Sequence, residues 1–193
     1  STDGNRLAIG APFNGKDWHW GGPGHIRIYE YNENNNSWLK IGQDIDGLTS
    51  TDELGYSVNL SKDGSIVVGA GPRNSNNGTD SGIVYVYEDI DGKWTQLGNQ
   101  IHGEYAGDWL GGSWHAQDTG ISADGKVLIA GTWRNDGNGD NAGHARVFER
   151  IEIAESAESS PLNIIIDTTD PTISITSADG RSGFSSYDNN SIN

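Results

Sequence analysis

Residues 63–72 read DGSIVVGAGP and residues 82–88 read GIVYVYE. An aspartate-glycine turn leads into a short apolar run with small residues at its end. A glycine-led strand with alternating apolar side chains then follows. The same order recurs upstream as Asp3-Gly4, residues 7–12 (LAIGAP) and residues 24–30 (GHIRIYE). It recurs downstream as Asp124-Gly125, residues 127–132 (VLIAGT) and residues 143–149 (GHARVFE). The three dipeptides stand 60 and then 61 residues apart, a period that calls for stacked supersecondary units, since one such unit cannot bury its own apolar face.

Working outward, the first two repeats match without a gap over residues 38–56 and 94–112. Trp38/Trp94, Gly42/Gly98, Ile45/Ile101, Gly47/Gly103, Asp52/Asp108, Leu54/Leu110 and Gly55/Gly111 coincide there. A full unit therefore holds four short apolar segments, at 54–60, 66–70, 83–88 and 94–97, separated by Gly, Asn and Asp. Four strands joined by three turns make one antiparallel sheet, the pattern of a propeller blade. No segment keeps a 3.6-residue apolar period for three turns, which excludes helical solenoids.

Composition narrows the partners. Lys and Arg together number 12 against 27 Asp and Glu, a net charge of −15, with 28 Gly and no Cys or Met. Affinity for nucleic acid comes largely from cations on the protein, so no nucleic acid is expected as partner. Binding to an anionic membrane surface is disfavoured on the same ground. Without cysteine there is neither a disulfide staple nor a zinc-thiolate site. No apolar run reaches the roughly 18 residues that would span a bilayer, so no membrane insertion is expected. Ser1 lies just before an Asp-Gly turn, in mid-repeat, and the chain reads as starting inside a larger protein.

From residue 151 the repeat stops. An acidic, serine-containing stretch at 152–160 has linker composition, and residues 162–166 (LNIII) and 172–176 (TISIT) read as strands about the turn DTTDP. The organisation expected is all-β. Residues 1–150 form a partial β-propeller of about two and a half four-stranded antiparallel blades. A linker over 151–161 leads to an incomplete β-sandwich-like segment over 162–193.

The LAIGAP and LGYSV elements (residues 7–12 and 54–58), with the GxVYVYE-type strand, resemble FG-GAP repeats, the blades of the integrin α-subunit type of propeller. The resemblance covers residues 1–150 and is to the long variant found in bacterial surface proteins. Residues 167–180 (DTTDPTISITSADG) resemble the junction that opens bacterial immunoglobulin-like domains in exported adhesins. Together these imply an extracellular or cell-surface recognition or adhesion module with a protein or glycan of the cell surface as ligand. The remaining blades of a parent propeller would be its other partner. The alternative is a noncatalytic spacer or carbohydrate-binding part of a secreted polysaccharide-degrading enzyme.

Calcium-binding repeats of this family carry a D-x-D-x-D-G-type loop, in which several oxygens converge on a hard cation. At that position this chain has Ser61-Lys62-Asp63-Gly64 and its equivalents, with one carboxylate each, so no cofactor is expected there. If a cation binds, calcium is expected at the oxygen-rich loop holding Asn135, Asp136, Asn138 and Asp140; Asn74, Asn76, Asn77 and Asp80 are its counterparts.

Residues shared by the repeats read as scaffold. Ile26/Val84/Ala145 and Ile28/Val86/Val147 should form one apolar face of the glycine-led strand. Tyr29/Tyr87/Phe148 and Trp38/Trp94 should be buried rings, each hiding ~150–250 Å². Glu30/Glu88/Glu149 should accept a hydrogen bond from a neighbouring loop. Binding is expected where the repeats differ: Trp18, His19 and Trp20 in the first repeat, Trp114, His115 and Trp133 in the third. Tryptophan on loops beside Asp, Asn and His is the composition of a sugar-binding surface. No G-x-S-x-G, H-E-x-x-H, P-loop or CxxC occurs, and no catalytic residue is assigned.

Overall fold

In the computed structural model, residues 1–15, 21–112, 118–151 and 183–187 are described. They are all-β, with no helix among them. The first sheet holds β1 (Arg6–Ala11), β2 (His25–Asn32) and β3 (Ser37–Asp46), in that order. The second holds β4 (Ser57–Leu60), β5 (Ile66–Gly71), β6 (Ile83–Ile90) and β7 (Lys93–Gln96), with β8 (Ile101–His102) also on β6. The third runs β9 (Thr119–Ile121), β10 (Val127–Thr132), β11 (His144–Ile151) and β12 (Gly183–Tyr187), each neighbour pair antiparallel. Gly183–Tyr187, within the stretch assigned by sequence to a separate module, thus pairs with β11 as the fourth strand of the third sheet. Ile151, expected to open the linker, ends β11 instead; the rest of the expected linker and of that module lie outside the described residues.

Equivalent strands pair in equivalent register: Arg6 faces Glu30, Ile66 faces Glu88 and Val127 faces Glu149. The three sheets repeat one central hairpin, β1–β2, β5–β6 and β10–β11. The entry to β4 differs from the sequence expectation, since the strand begins at Ser57 rather than Leu54. Glu53 and Gly55 both take positive φ, 55° and 98°, and that turns the chain out of the ladder. Leu54 instead makes a parallel bridge to Gly24 of the preceding blade and buries its side chain completely.

The blades pack face to face. Ile26, Ile28 and Ile45 of the first meet Val67, Ile83, Tyr85 and Trp94 of the second. On its other face the second blade sets Ile66, Val68, Val84, Val86 and Leu97 against Leu128, Ala130 and Phe148 of the third. The sandwiched strand β5 is buried at every residue, whereas β10 alternates, with Val127 and Ile129 exposed and Leu128 and Ala130 buried. Each fully buried Ile, Val or Leu contributes about 1.5–3 kcal/mol, so the two junctions carry most of the cohesion.

The column Ile28/Val86/Val147 lies on corresponding faces, as expected, but Ala145 and Val147 are exposed on the outer face of the third blade. The tryptophan expectation divides. Trp94 is 2% exposed, and its indole N–H donates to the Ile41 carbonyl of the first blade at 3.1 Å. Trp38, its counterpart, is 43% exposed and meets the Tyr31 ring of its own sheet, 5.2 Å between centroids. The difference is one of neighbours: the groove at Ile41 and Gly42 that receives Trp94 has no described equivalent beside Trp38. Glu30 and Glu88 do accept hydrogen bonds, but from arginines on strands, Arg6 (3.0 Å) and Arg150 of the next blade (3.2 Å).

The Asp-Gly turns close the hairpins between β4 and β5 and between β9 and β10, and each is preceded by a serine. Asp63 accepts from the Ser61 hydroxyl (2.7 Å) and the Ser65 amide (3.0 Å), while Ser61 Oγ accepts the Ile66 amide. Asp3 with Ser1, and Asp124 with Ser122, repeat the arrangement. Successive turns are also stitched together. The Thr2 amide donates to the Lys62 carbonyl and the Lys62 amide to the Ala123 carbonyl, both at 2.9 Å.

Candidate functional site

The loops that lead from one blade to the next are anchored by a buried carboxylate. Asp52 accepts hydrogen bonds from the amides of Leu48 (2.8 Å) and Thr49 (3.0 Å), from the Thr49 hydroxyl, and from Asn74 Nδ2 of the second blade (2.9 Å). Asp108 accepts from the amides of Glu104 and Tyr105, both at 2.9 Å, and from Asn135 Nδ2 of the third blade at 3.2 Å. Both carboxylates and both asparagines are buried. A buried charge is tolerated only when donors converge on it, and here the donors join a loop to the blade that follows it. Gly47 and Gly103 open these loops with no room for a side chain. A Cβ there would stand 1.9 Å from the Pro23 and Ser81 carbonyl oxygens respectively.

This geometry places the proposed calcium loop. Asn135 belongs to the anchor: its amide faces Asp108 and Glu104, and its Oδ1 accepts the Gly137 amide at 2.9 Å. Asp136 Oδ1 takes the Asn141 amide and Asp140 Oδ1 the Asn141 side chain. A cation held there would therefore draw on the outer oxygens of Asp136 and Asp140 and on Asn138, with Asn135 committed elsewhere. Among the described residues one metal-type grouping exists, His25, Asp44 and Asp46, with ligand atoms within 4.8 Å of one another. Arg27 at 2.8 Å and Lys40 at 2.6 Å already neutralise Asp44 and hold its carboxyl well below the usual range. His25 Nδ1 faces Asn14 Nδ2 at 2.7 Å.

Immediately beside each anchored asparagine lies an arginine, and here the junctions diverge. Arg73 precedes Asn74 and has two carboxylates near it, Asp80 at 3.5 Å and Glu53 at 4.0 Å. Arg134 precedes Asn135 in the same position of the third blade. The counterpart of Glu53 is Trp109, held in the same left-handed backbone (φ 55° and 57°), and the counterpart of Asp80 is Asn141 (φ 53° and 49°). Both acids are gone. Arg134 lies over two indoles, 5.7 Å from the Trp109 ring centre, which Arg73 also approaches to 5.6 Å, and 5.3 Å from that of Trp133. The two rings meet edge to face at 6.4 Å and 86°. Trp109 is buried, and Trp133, where the second blade has Pro72, is 39% exposed.

Of the residues that sequence marked for binding, Trp133 is thus placed on an exposed loop beside a cation. Trp18, His19, Trp20, Trp114 and His115 lie outside the described residues. Sequence reading passed over Trp109 and Arg134. The signal was present in the repeat alignment, where Glu53 sits opposite Trp109 and Asp80 opposite Asn141.

Residues 46–87 match the FG-GAP repeat family. The matched stretch runs from the end of β3 through the Asp52 anchor, β4 and β5 into β6, one complete loop-to-blade step. No curated protein matches the chain. FG-GAP repeats are generally protein-interaction and adhesion modules, typically without catalysis, and occur in extracellular and surface proteins.

Proposed function

We propose that these blades are a non-enzymatic, extracellular recognition or adhesion module that binds a protein or glycan of the cell surface through the loops at the blade junctions. The observation that carries this reading is the division of labour between columns of the repeat. Asp52/Asp108, Asn74/Asn135 and the Ser-x-Asp-Gly turns are consumed by hydrogen bonds within the scaffold. Trp133, which breaks the pattern, stands beside Arg134 on a loop that the scaffold holds but does not need. Side chains a fold does not demand are those left for binding. The FG-GAP match over 46–87 agrees in kind.

Screening the full chain against arrays of glycans and of extracellular proteins tests the proposal. Saturable binding to a member of either class, lost on substitution of Trp133 with the melting temperature unchanged, is the expected result. No binding to either class, or turnover of a polysaccharide by the purified chain, overturns it.

A further inference from the structure

The substitution of both acids around Arg134 has a chemical meaning that the recognition reading alone does not supply. In a chain of net charge −15, a guanidinium on a loop is ordinarily neutralised, as Arg73 is by Asp80 and Glu53. Among the described residues, Arg134 has no carboxylate within ion-pair distance. Its planar fork, suited to bidentate contact with a carboxylate, is propped against Trp109 and Trp133. The exposed part of Trp133 offers an apolar ring surface next to that fork. An indole face and a guanidinium side by side complement a sugar ring that bears a carboxylate: the ring's C–H face lies on the indole while the carboxylate takes the fork.

We propose that the Trp133–Arg134 corner binds an acidic sugar unit of a glycan, one ring with one carboxylate, such as a uronic acid or a sialic acid. This rests on the recognition reading and names its ligand class. One guanidinium matches one carboxylate rather than an extended polyanion, which the acidic remainder of the surface repels. At physiological ionic strength that repulsion is screened beyond about 8 Å, so a single acidic residue can approach.

The test is an NMR titration of the full 193-residue chain at physiological salt, following the tryptophan indole N–H signals. The probes are oligosaccharides ending in glucuronic acid and in sialic acid, their neutral parents, and a glutamate-rich peptide. The expected result is saturable binding of one or both acidic sugars, with the neutral parents and the peptide at least tenfold weaker. Arg134→Gln, which removes a charge-assisted pair, should weaken binding about tenfold or more, and Trp133→Ala should do likewise. Asn141→Asp restores the acid found in the second blade, at a backbone conformation that Asp80 already adopts, and should weaken binding severalfold in a chain that remains folded. Arg27→Gln, on the first blade and paired with Asp44, should leave binding as it was.

Equal binding of neutral and acidic sugars overturns the inference, as does acidic-sugar binding undiminished in folded Arg134→Gln. Preference for the peptide assigns the corner to an acidic protein and overturns it too. If the arrays show a protein or neutral glycan ligand and the acidic sugars fail, this inference falls while the recognition proposal stands. If nothing binds in either experiment, both fall.

Discussion

The junction between the first and second blades and the junction between the second and third are the same interface with different outer chemistry. Both bury an aspartate that gathers two loop amides and an asparagine from the next blade. Both close a parallel bridge, Gly24 to Leu54 and Gly82 to Leu110. Around this common lock, the earlier junction sets its arginine between two carboxylates and one face of Trp109, whereas the arginine of the later one lies over two indoles with no carboxylate among the described residues in ion-pair reach. A repeat fixes the positions of its loops through a few buried polar contacts. It thereby leaves the neighbouring exposed positions free to change character from one copy to the next.

The sharpest break of the comparison is expected at the paired tryptophans. Trp94→Ala empties a filled groove and strands the Ile41 carbonyl, and should cost about 3–5 kcal/mol. Trp38→Ala, at the exposed counterpart, should cost under about 1 kcal/mol. Chemical denaturation of both variants compares them directly, and similar losses would mean that Trp38 is covered in solution.

Next come the locks themselves. Asp52→Ala removes the acceptor for two amides, a hydroxyl and Asn74, and should destabilise by about 3 kcal/mol. Asp108→Ala should cost less, about 2 kcal/mol, because its asparagine donor is more distant, 3.2 Å against 2.9 Å. Thermal melts of the two variants rank them.

A smaller effect concerns the Asp-Gly turns and is read by pH. The Ser61 hydroxyl, and then the Ser65 amide, lower the Asp63 carboxyl from 3.8 to about 2. Asp3 and Asp124 are lowered in the same direction by Ser1 and Ser122. A carboxyl whose folded pKa lies below its unfolded value stabilises the fold above the unfolded pKa, and that stabilisation is lost as pH falls through the folded one. The wild type should therefore lose stability between about pH 4 and pH 2, and Asp63→Asn should flatten the melting-temperature profile in that window.

The smallest difference lies at the arginines. Arg73→Gln breaks a half-exposed ion pair and should cost at most about 1 kcal/mol, a loss that shrinks as salt is raised. Arg134→Gln has no ion pair to lose among the described residues, so its stability change should be insensitive to salt. Denaturation of both variants at low and high ionic strength makes the comparison.

Much of this architecture is legible in the sequence because the repeat restates it. Three Asp-Gly turns in register with three glycine-led strands fix the blades. What escaped has a common cause in contacts between blades. Trp38 and Trp94 look identical along the chain, and only the neighbouring sheet decides which is buried. Leu54 reads as the start of a strand, but the left-handed backbone at Glu53 and Gly55 hands it to the preceding blade. Asn135 reads as part of an oxygen-rich loop because its partner, Asp108, comes from the preceding repeat. Arg134 was passed over for the same reason, since its environment is made by Trp109 from one blade and Trp133 from the next.

Amide hydrogen exchange followed by NMR tests the shared lock most directly. Leu48, Thr49, Glu104 and Tyr105 lie in loops outside the strands, yet their amides donate to buried carboxylates. They should exchange slowly, at rates approaching those of the strands they join, and Asp52→Ala should release Leu48 and Thr49 while leaving Glu104 and Tyr105 protected. Exchange of all four amides at the rate of open loops in the wild-type chain would contradict the account.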